Sequence, residues 1–288
     1  MTEYNSDKFS KPLKTIHDLF DLSGRIGIIT GGSGKMGEQF VTILVEAGAT
    51  VIIADIDKKR CQNLEKAFNK RNPGCVTAYQ VNVSSEREVH KFFECIDERY
   101  EHLDFLVHNV MAKPAGYYRS FEEYNTDTWD AVLKGNLTGA FLVCKEAVRR
   151  MRLNAKGGSI VLTSSIYGIV GPDQRIYDRC TSKNNIYSDL DKLYTPSCYS
   201  ASKAGLIGFS RYLATMFGKD NIRVNVLTPG GVFDGQEQSL YDAYRMRVPL
   251  ARMAEWSDYN GAILFMVSDA SRYMTGANLI VDGGWTAW

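Results

Sequence analysis

Apolar residues along the chain fall into short β-branched runs that alternate with longer stretches of helical periodicity. The runs predict buried strands at residues 25–30, 50–55, 76–83, 103–108, 159–163, 222–227 and 278–281. Between them, stretches such as 36–47 and 86–100 carry apolar residues every three or four positions and predict helices. Continuous apolar strands separated by helices are typical of a parallel sheet covered on both faces. The pattern therefore predicts an α/β fold, with a doubly wound parallel β-sheet flanked by helices in a single domain.

The first 22 residues precede the first predicted strand. They contain apolar residues at helical spacing, namely Phe9, Leu13, Ile16, Leu19 and Phe20. This spacing predicts a short amphipathic helix that packs on the domain or on a neighbouring subunit. Residues 1–22 are therefore interpreted as an N-terminal extension, and residues 23–288 as one domain.

The overall composition is that of an ordinary globular protein, and it narrows the choice of partners. The 288 residues are 44% hydrophobic and 23% charged, with a net charge of +1. This balance provides no general attraction to nucleic acid or to an anionic membrane. No apolar run approaches the ~20 residues that span a bilayer, and the polar N-terminus lacks a signal-peptide core. Because the six cysteines are scattered without metal-like spacing, we expect a cytoplasmic protein with no metal site.

A glycine-rich turn follows the first predicted strand, in the sequence Thr30-Gly-Gly-Ser-Gly-Lys-Met-Gly37. Glycines let a pyrophosphate approach the backbone, and the N-terminus of the next helix favours its negative charge. The turn therefore predicts a dinucleotide site. Its candidate binding residues are Gly31, Ser33, Gly34, Lys35, Met36 and Gly37.

Asp55 ends the second predicted strand, where a carboxylate can accept hydrogen bonds from an adenosine ribose. Because a carboxylate there would repel a 2′-phosphate, NAD is favoured over NADP as the cofactor. A structural alternative is that Asp55 caps the helix that begins near Lys58.

Tyr199 and Lys203 stand four positions apart and project from one face of a predicted helix. A phenol has a pKa near ~10 and is a poor base at neutral pH, but a nearby ammonium lowers that pKa. The phenolate can then take a proton from an alcohol while hydride leaves for the cofactor. Ser165 follows the fifth predicted strand, where its hydroxyl could polarise a substrate carbonyl. Together with the glycine-rich turn, these residues predict a nicotinamide-dependent oxidoreductase.

These motifs resemble those of the short-chain dehydrogenase/reductase family, in its single-domain NAD(P)-dependent branch, from residue 22 onward. The resemblance implies a Rossmann-like fold, interconversion of a secondary alcohol and a ketone, a small-molecule substrate, and homodimers or homotetramers. The family turn TGxxxGxG places its middle glycine at the position of Lys35. Lys35 could instead face a phosphate, which keeps NADP as the alternative cofactor. The cofactor contacts that the resemblance adds are Asn82, Val83, Asn109, Tyr199, Lys203, Pro229, Gly230 and the backbone of Val232.

Asn136 falls on the apolar stripe of a predicted helix that also contains Ala140. It should therefore be buried and hydrogen-bonded, since a buried amide without partners is costly. The resemblance assigns it to the catalytic set with Ser165, Tyr199 and Lys203, where it holds a water in a proton relay to the lysine. The alternative is a satisfied core amide.

Ser165 and Tyr199 are 34 positions apart, which is longer than is usual in the family. The extra segment, about residues 171–197, should lie over the substrate pocket. Its candidate substrate-binding residues are Arg175, Tyr177 and Arg179, and Lys113 falls on the same side. Arginines can grip an anionic or hydroxyl-rich substrate, and a tyrosine can stack on a sugar. The alternative is a polar surface flap held by its own salt bridges.

The segments 165–177 and 230–234 also resemble, more weakly, oxidoreductases of bacterial surface-sugar and flagellin-glycan biosynthesis. We therefore expect an NAD(H)-dependent oxidoreductase that acts on a sugar or sugar phosphate in such a pathway. A 3-oxoacyl-thioester reductase of the same family is one alternative. A non-catalytic dinucleotide-binding regulator is an alternative of another class.

Overall fold

A computed structural model of the protein describes residues 14–154, 156–178 and 193–288. Its strands are β1 (Ile26–Thr30), β2 (Thr50–Asp55), β3 (Val76–Gln80), β4 (Phe105–His108), β5 (Gly158–Thr163), β6 (Ile222–Pro229) and β7 (Asn278–Val281). Its α-helices are α1 (Ile16–Phe20), α2 (Lys35–Glu46), α3 (Lys58–Arg71), α4 (Glu86–Asp97), α5 (Thr126–Leu133), α6 (Gly139–Met151), α7 (Ser197–Phe217), α8 (Gln238–Arg245) and α9 (Asn260–Val267). Within these ranges the strands form one parallel sheet in the order β3-β2-β1-β4-β5-β6-β7. The predicted doubly wound α/β fold is confirmed.

Adjacent residues of the central strand β1 face opposite layers of the core. Ile28 belongs to the same apolar cluster as Phe93 of α4, whereas Ile29 belongs to the cluster that contains Phe40 of α2. All four side chains are fully buried. Because helices cover both faces of the sheet, its strands are continuous apolar runs rather than alternating ones. This is the physical reason that the strands are recognisable in the sequence.

The direction of strand addition reverses between β1 and β4, which are neighbours in the sheet although β2 and β3 intervene in the chain. Gly27 of β1 leaves room for the ring of Phe105, its partner on β4, since a Cβ at Gly27 would lie 1.9 Å from that ring. The chain leaves β1 and β4 toward opposite faces, so a crevice opens beyond the carboxyl ends of these strands. This crevice is where doubly wound sheets bind their ligands.

The strand β3 is shorter than the apolar run that predicted it. It ends at Gln80, and the chain then turns at Asn82. The Asn82 amide donates to a carboxylate oxygen of Glu88, and the Asn82 side-chain oxygen accepts from the amide of Ser84, both at 3.0 Å. Side-chain contacts therefore end the strand where apolar character alone would extend it to residue 83.

The helix α1 agrees with the helix predicted in the N-terminal extension, over residues 16–20. Just before it, Lys14 forms an ion pair with Asp269 at 2.5 Å, and Arg25 pairs with the same carboxylate at 2.6 Å. No residue of α1 is fully buried, but Leu19 and Phe20 are half-buried, so both apolar contacts and these ion pairs join this part of the extension to the domain. Phe9 and Leu13, which contributed to the prediction, lie outside the described residues.

A π-helical turn, Lys134–Thr138, joins α5 to α6, a feature that the sequence pattern does not predict. Such turns are rare and are frequent at functional sites. Asn136 lies within it and is fully buried, as expected from its place on the apolar stripe. Gly139 follows, and a Cβ there would lie 2.8 Å from the side chain of Val83. The turn is thus packed tightly against the segment that follows β3.

Candidate active site

A cleft of about 920 Å³ lies beyond the carboxyl ends of the strands. The described candidate residues that line it are Gly31, Gly34, Lys35, Met36, Asp55, Asn82, Val83, Asn109, Lys113, Ser165, Tyr177, Tyr199, Lys203, Pro229, Gly230 and Val232. Those outside its lining are Ser33, Gly37, Asn136 and Arg175. The fold therefore brings most of the predicted cofactor and catalytic residues to one cleft.

The glycines of the turn after β1 have separate structural roles. Gly31 has a positive φ of 67°, and a Cβ there would lie 2.5 Å from the main-chain oxygen of Asn109. A Cβ on Gly37 would lie 2.3 Å from the oxygen of Gly31, so Gly37 lets the first turn of α2 pack against the glycine-rich turn. Gly34 is the N-cap of α2 and provides no side-chain cap. The residues present therefore fit a dinucleotide, whose pyrophosphate would take the uncapped amides of α2.

Asp55 is oriented by main-chain amides at the end of β2. One carboxylate oxygen accepts from the amide of Ser33 at 3.0 Å, and the other accepts from the amide of Asp57 at 3.2 Å. The cap of α3 is Asp57, whose side chain accepts from the amide of Arg60 at 3.0 Å. The interpretation of Asp55 as the helix cap is therefore wrong. Ser33 is buried behind the cleft and contributes its amide to the placement of Asp55.

Tyr199 lies in the first turn of α7, beside Ser165. Burial raises the pKa of the Tyr199 phenol, and a hydrogen bond with the Ser165 side chain acts in the opposite direction and lowers that pKa. Ser165 follows β5, and its hydroxyl also accepts from the amide of Tyr167 at 3.2 Å. The structure thus places a hydroxyl and a phenol side by side in the cleft.

Lys203 lies one helical turn after Tyr199 and is almost completely buried. Its ammonium donates to the main-chain oxygens of Thr163 at 2.8 Å and Val110 at 3.2 Å. Burial lowers the pKa of Lys203 to about 7. The Nζ atom is 5.8 Å from the centroid of the Tyr199 ring. The ammonium is therefore directed at two carbonyls, and the hydrogen bond with Ser165 is what offsets the effect of burial on the phenol.

The side-chain amide of Asn136 connects two elements of the site. Its oxygen accepts from the amide of Ala112 at 2.8 Å, and its nitrogen donates to the hydroxyl of Ser202 at 3.0 Å. Both contacts satisfy a buried amide, as expected from its position on the apolar stripe. Ser202 precedes Lys203 on α7, so Asn136 contacts the helix that carries the catalytic pair. Its role in a proton relay stays a prediction.

His108, at the end of β4, lies outside the cleft lining but contacts residues of the site, and the sequence pattern did not predict these contacts. It is fully buried, with Nδ1 2.8 Å from the Thr30 hydroxyl and Nε2 3.3 Å from the main-chain oxygen of Asn136. Burial and the nearby charge of Lys203 lower the pKa of His108 to about 3, so the ring is neutral. Because a carbonyl only accepts, Nε2 carries the hydrogen and Nδ1 accepts from Thr30. In the sequence, this residue could have been noticed as a polar histidine at the end of an otherwise apolar strand.

The two ends of the 171–197 insertion meet beside the cleft. The Gln174 side chain makes two hydrogen bonds to the backbone of Thr195, at 3.1 and 3.2 Å, and Thr195 donates to the Tyr177 hydroxyl at 3.1 Å. Arg175 points away: its side chain is 79% exposed and pairs with Asp173 at 2.7 Å. Arg179 lies outside the described residues.

Lys113 contributes a positive charge to the cleft lining. Desolvation of its ammonium lowers the pKa of Lys113, and the carboxylate of Asp234 acts against that shift. Its Nζ atom is 5.9 Å from the ring centroid of Tyr118. This part of the cleft can therefore favour an anionic or strongly hydrogen-bonding group.

Two further features are absent from the part of the chain that the structure describes. None of its helices is long and apolar enough to cross a membrane. Its histidine, cysteine, aspartate and glutamate side chains form no group of three or more that could hold a metal ion.

Two family models match the chain. The model described as short chain dehydrogenase matches residues 25–186, and the model described as Enoyl-(Acyl carrier protein) reductase matches residues 183–286. The first covers more than half of the sequence, so this chain belongs to the short-chain dehydrogenase/reductase family. It is an NAD(P)-dependent oxidoreductase of secondary alcohols and ketones.

Individual relatives cover almost the whole chain. The ribulose-forming D-arabinitol 2-dehydrogenase of Candida tropicalis is 31% identical over 291 residues, which span 93% of this chain and 95% of that protein. The 3-oxoacyl-(acyl-carrier-protein) reductase FabG of Thermotoga maritima is 33% identical over 269 residues, with 91% and 98% covered. A solved short chain dehydrogenase from Leptospira borgpetersenii with bound NAD+ is 29% identical, with a TM-score of 0.79 and coverage of 96% and 97%.

The catalytic assignment predicts a specific effect of Tyr199→Phe. This change removes one hydroxyl with almost no change in volume, so the fold and cofactor affinity should be retained. Turnover should fall by roughly two to four orders of magnitude, the usual contribution of a positioned general acid–base. Steady-state kinetics, cofactor titration and circular dichroism measure these effects. Tyr273→Phe, at a fully exposed position outside the cleft, is the matched control. Near-normal turnover of Tyr199→Phe would refute the assignment.

Proposed function

We propose that this protein interconverts a secondary alcohol and a ketone on a carbohydrate-like substrate, with NAD(H) as its cofactor. The observation that carries the proposal is the continuity of the cleft. Asp55 lines it near the glycine-rich turn, and the hydrogen-bonded pair Ser165 and Tyr199 lines it further along. A regulator that only sensed a dinucleotide would not need this pair beside the cofactor, so the non-catalytic alternative is less favoured.

Tyr199 is the acid and base of the proposed reaction. Since burial raises the pKa of its phenol, Tyr199 is protonated at neutral pH and can donate to a ketone oxygen during reduction. During oxidation the phenolate takes the proton of the alcohol, and the hydrogen bond with Ser165 favours that phenolate. A bound nicotinamide ring would supply or accept the hydride. Lys203 holds α7 against the ends of the strands through its two carbonyl contacts.

The charges near the adenosine end support NAD(H) as the cofactor. Each carboxylate oxygen of Asp55 can accept more than the one amide it already contacts, which leaves capacity for ribose hydroxyls. The ammonium of Lys35 is bound to Asp234, a partner other than a 2′-phosphate. Arg60 also lines the cleft, so NADP(H) is the comparison that a binding test must include.

The substrate end of the cleft supports a polyhydroxylated substrate. Its lining is rich in tyrosines, namely Tyr117, Tyr118, Tyr167, Tyr177, Tyr194 and Tyr244. A tyrosine offers both a ring face and a hydroxyl, which suits a sugar or polyol. The similarity to a D-arabinitol 2-dehydrogenase favours the same substrate class. A place in bacterial glycan biosynthesis stays a prediction.

Reduction of a 3-oxoacyl thioester is the second candidate. The similarity to the reductase FabG of Thermotoga maritima favours it. The net charge of +1 does not provide the broad basic surface that an acidic carrier protein would need. A substrate panel that contains both polyols and acyl thioesters separates the two candidates.

The role of Asp55 predicts the cofactor preference. The unmodified protein should bind NADH more tightly than NADPH in calorimetric titrations. Asp55→Ala should reduce that preference by about tenfold or more, since it removes charged hydrogen bonds and a repulsion. Asp57→Asn keeps a capping acceptor on α3 and is the nearby control. Equal or tighter NADPH binding by the unmodified protein would overturn the choice of NAD(H).

The composition of the cleft predicts the substrate class. Kinetics across pentitols, hexitols, sugar acids and a 3-oxoacyl thioester should show the highest kcat/KM for a carbohydrate. Lys113→Met should raise KM about tenfold for an anionic substrate with little change in NADH affinity, because it removes a charged contact. Tyr177→Ala tests the predicted role of the insertion, because Tyr177 lines the cleft whereas Arg175 points away from it. Unchanged kinetics of that variant across the panel would identify the insertion as a surface flap.

The exposed faces of α6 and α7 predict assembly. Phe141, Tyr212 and Met216 are 48%, 62% and 51% exposed, although they are large and apolar or aromatic. We propose that these faces pair two subunits, within a homodimer or homotetramer. Light scattering at micromolar concentration should show an oligomer, and Phe141→Glu should shift it toward monomer. Phe121→Glu, which changes an exposed loop residue, is the control. A monomeric unmodified protein would contradict the proposal.

A further inference from the structure

A lysine from the glycine-rich turn reaches across the cofactor cleft. Lys35 is the first residue of α2, and its ammonium forms an ion pair with the carboxylate of Asp234. The same Nζ atom lies 5.9 Å from the ring centroid of Trp256. All three residues line the cleft, and Asp234 and Trp256 belong to segments that follow β6. The ion pair therefore joins the first residue of α2 to the segment that follows β6, while α2 also packs on the turn at residues 256–259.

The segment that carries Asp234 is anchored independently of Lys35. The Asp234 amide donates to the side-chain oxygen of Gln236 at 2.6 Å, and Gln236 donates to the main-chain oxygen of Val232 at 2.8 Å. The Phe233 amide donates to the main-chain oxygen of Ala254 at 2.8 Å. The segment around Asp234 is thus held in place by its own hydrogen bonds. The long side chain of Lys35 is the part of the ion pair that can move.

Stability alone does not account for this ion pair. The side chains of Lys35 and Asp234 are 54% and 23% exposed, and pairs with such access to water contribute little to folding. Lys35 stands at the start of the helix whose uncapped amides suit a pyrophosphate. Its ammonium can contact that anion and Asp234 together. Release of a dinucleotide from the cleft would then require the ion pair between Lys35 and Asp234 to break.

We propose that Lys35 and Asp234 form a contact across the cleft that retains the bound dinucleotide and slows its release. The proposal rests on the proposed function, in which this cleft holds NAD(H) or NADP(H). A simpler hypothesis is that Lys35 only attracts the pyrophosphate. The two hypotheses assign opposite effects to the carboxylate of Asp234. In the contact across the cleft, the carboxylate helps to retain the cofactor. In simple attraction, the carboxylate competes with the cofactor for the lysine.

Stopped-flow fluorescence of reduced-cofactor release tests the proposal, with whichever of NADH and NADPH binds more tightly. Lys35→Met and Asp234→Asn should each speed release by about two- to fivefold, as expected for a partly exposed pair. The double variant should release no faster than Lys35→Met, because both changes remove the same contact. Lys58→Met, at the exposed start of α3, should release at the unmodified rate.

The sign of the Asp234→Asn effect decides the outcome. Release that is slower than, or equal to, that of the unmodified protein would overturn the contact and leave only attraction between Lys35 and the pyrophosphate. Amide hydrogen exchange without cofactor gives a second measure. Because residues 232–236 are anchored independently of Lys35, their exchange should be unchanged in Lys35→Met. Faster exchange would show that Lys35 orders this segment rather than retaining the cofactor, and counts against the proposal. If the unmodified protein bound neither NADH nor NADPH, the proposed function itself would fail, which is a separate result.

Discussion

The buried ammonium of Lys203 is the interaction on which the arrangement of the active site depends. A buried charge is costly unless protein groups replace the lost water, and here the carbonyls of Thr163 and Val110 do so. These carbonyls lie at the end of β5 and just after β4, so the lysine fixes the start of α7 against the carboxyl edge of the sheet. Tyr199, one turn earlier on the same helix, is thereby held beside Ser165.

The charges along the cleft match the parts of a dinucleotide. Asp55 offers acceptors at one end, where ribose hydroxyls can donate. The uncapped N-terminus of α2 offers amides and positive potential in the middle, where a pyrophosphate is negative. Further along the cleft, the charges of Asp234 and Lys35 act on the pKa of Lys113. A dinucleotide bound in this order would have its nicotinamide end toward Tyr199, as the proposed reaction requires.

Much of the fold and part of the candidate site could be predicted because they depend on local spacing. The strands are apolar on both faces, and Tyr199 and Lys203 share a helix face whatever surrounds them. The π-helical turn around Asn136 could not be predicted, since it forms where Gly139 packs against Val83. The role of His108 was missed for the same reason, because its partners come from β1 and from that turn.

The sequence by itself determined the doubly wound sheet, the glycine-rich turn and the spacing of the catalytic pair, because each is encoded within a few neighbouring residues. Only the tertiary structure decided which partners the charged side chains take. It pairs Lys35 with Asp234, 199 positions away, and directs Arg175 to Asp173 at the surface. It also assigns the cap of α3 to Asp57. A long or charged side chain has several possible partners, and distance and burial determine which of them it contacts. Both quantities are defined only in the folded chain.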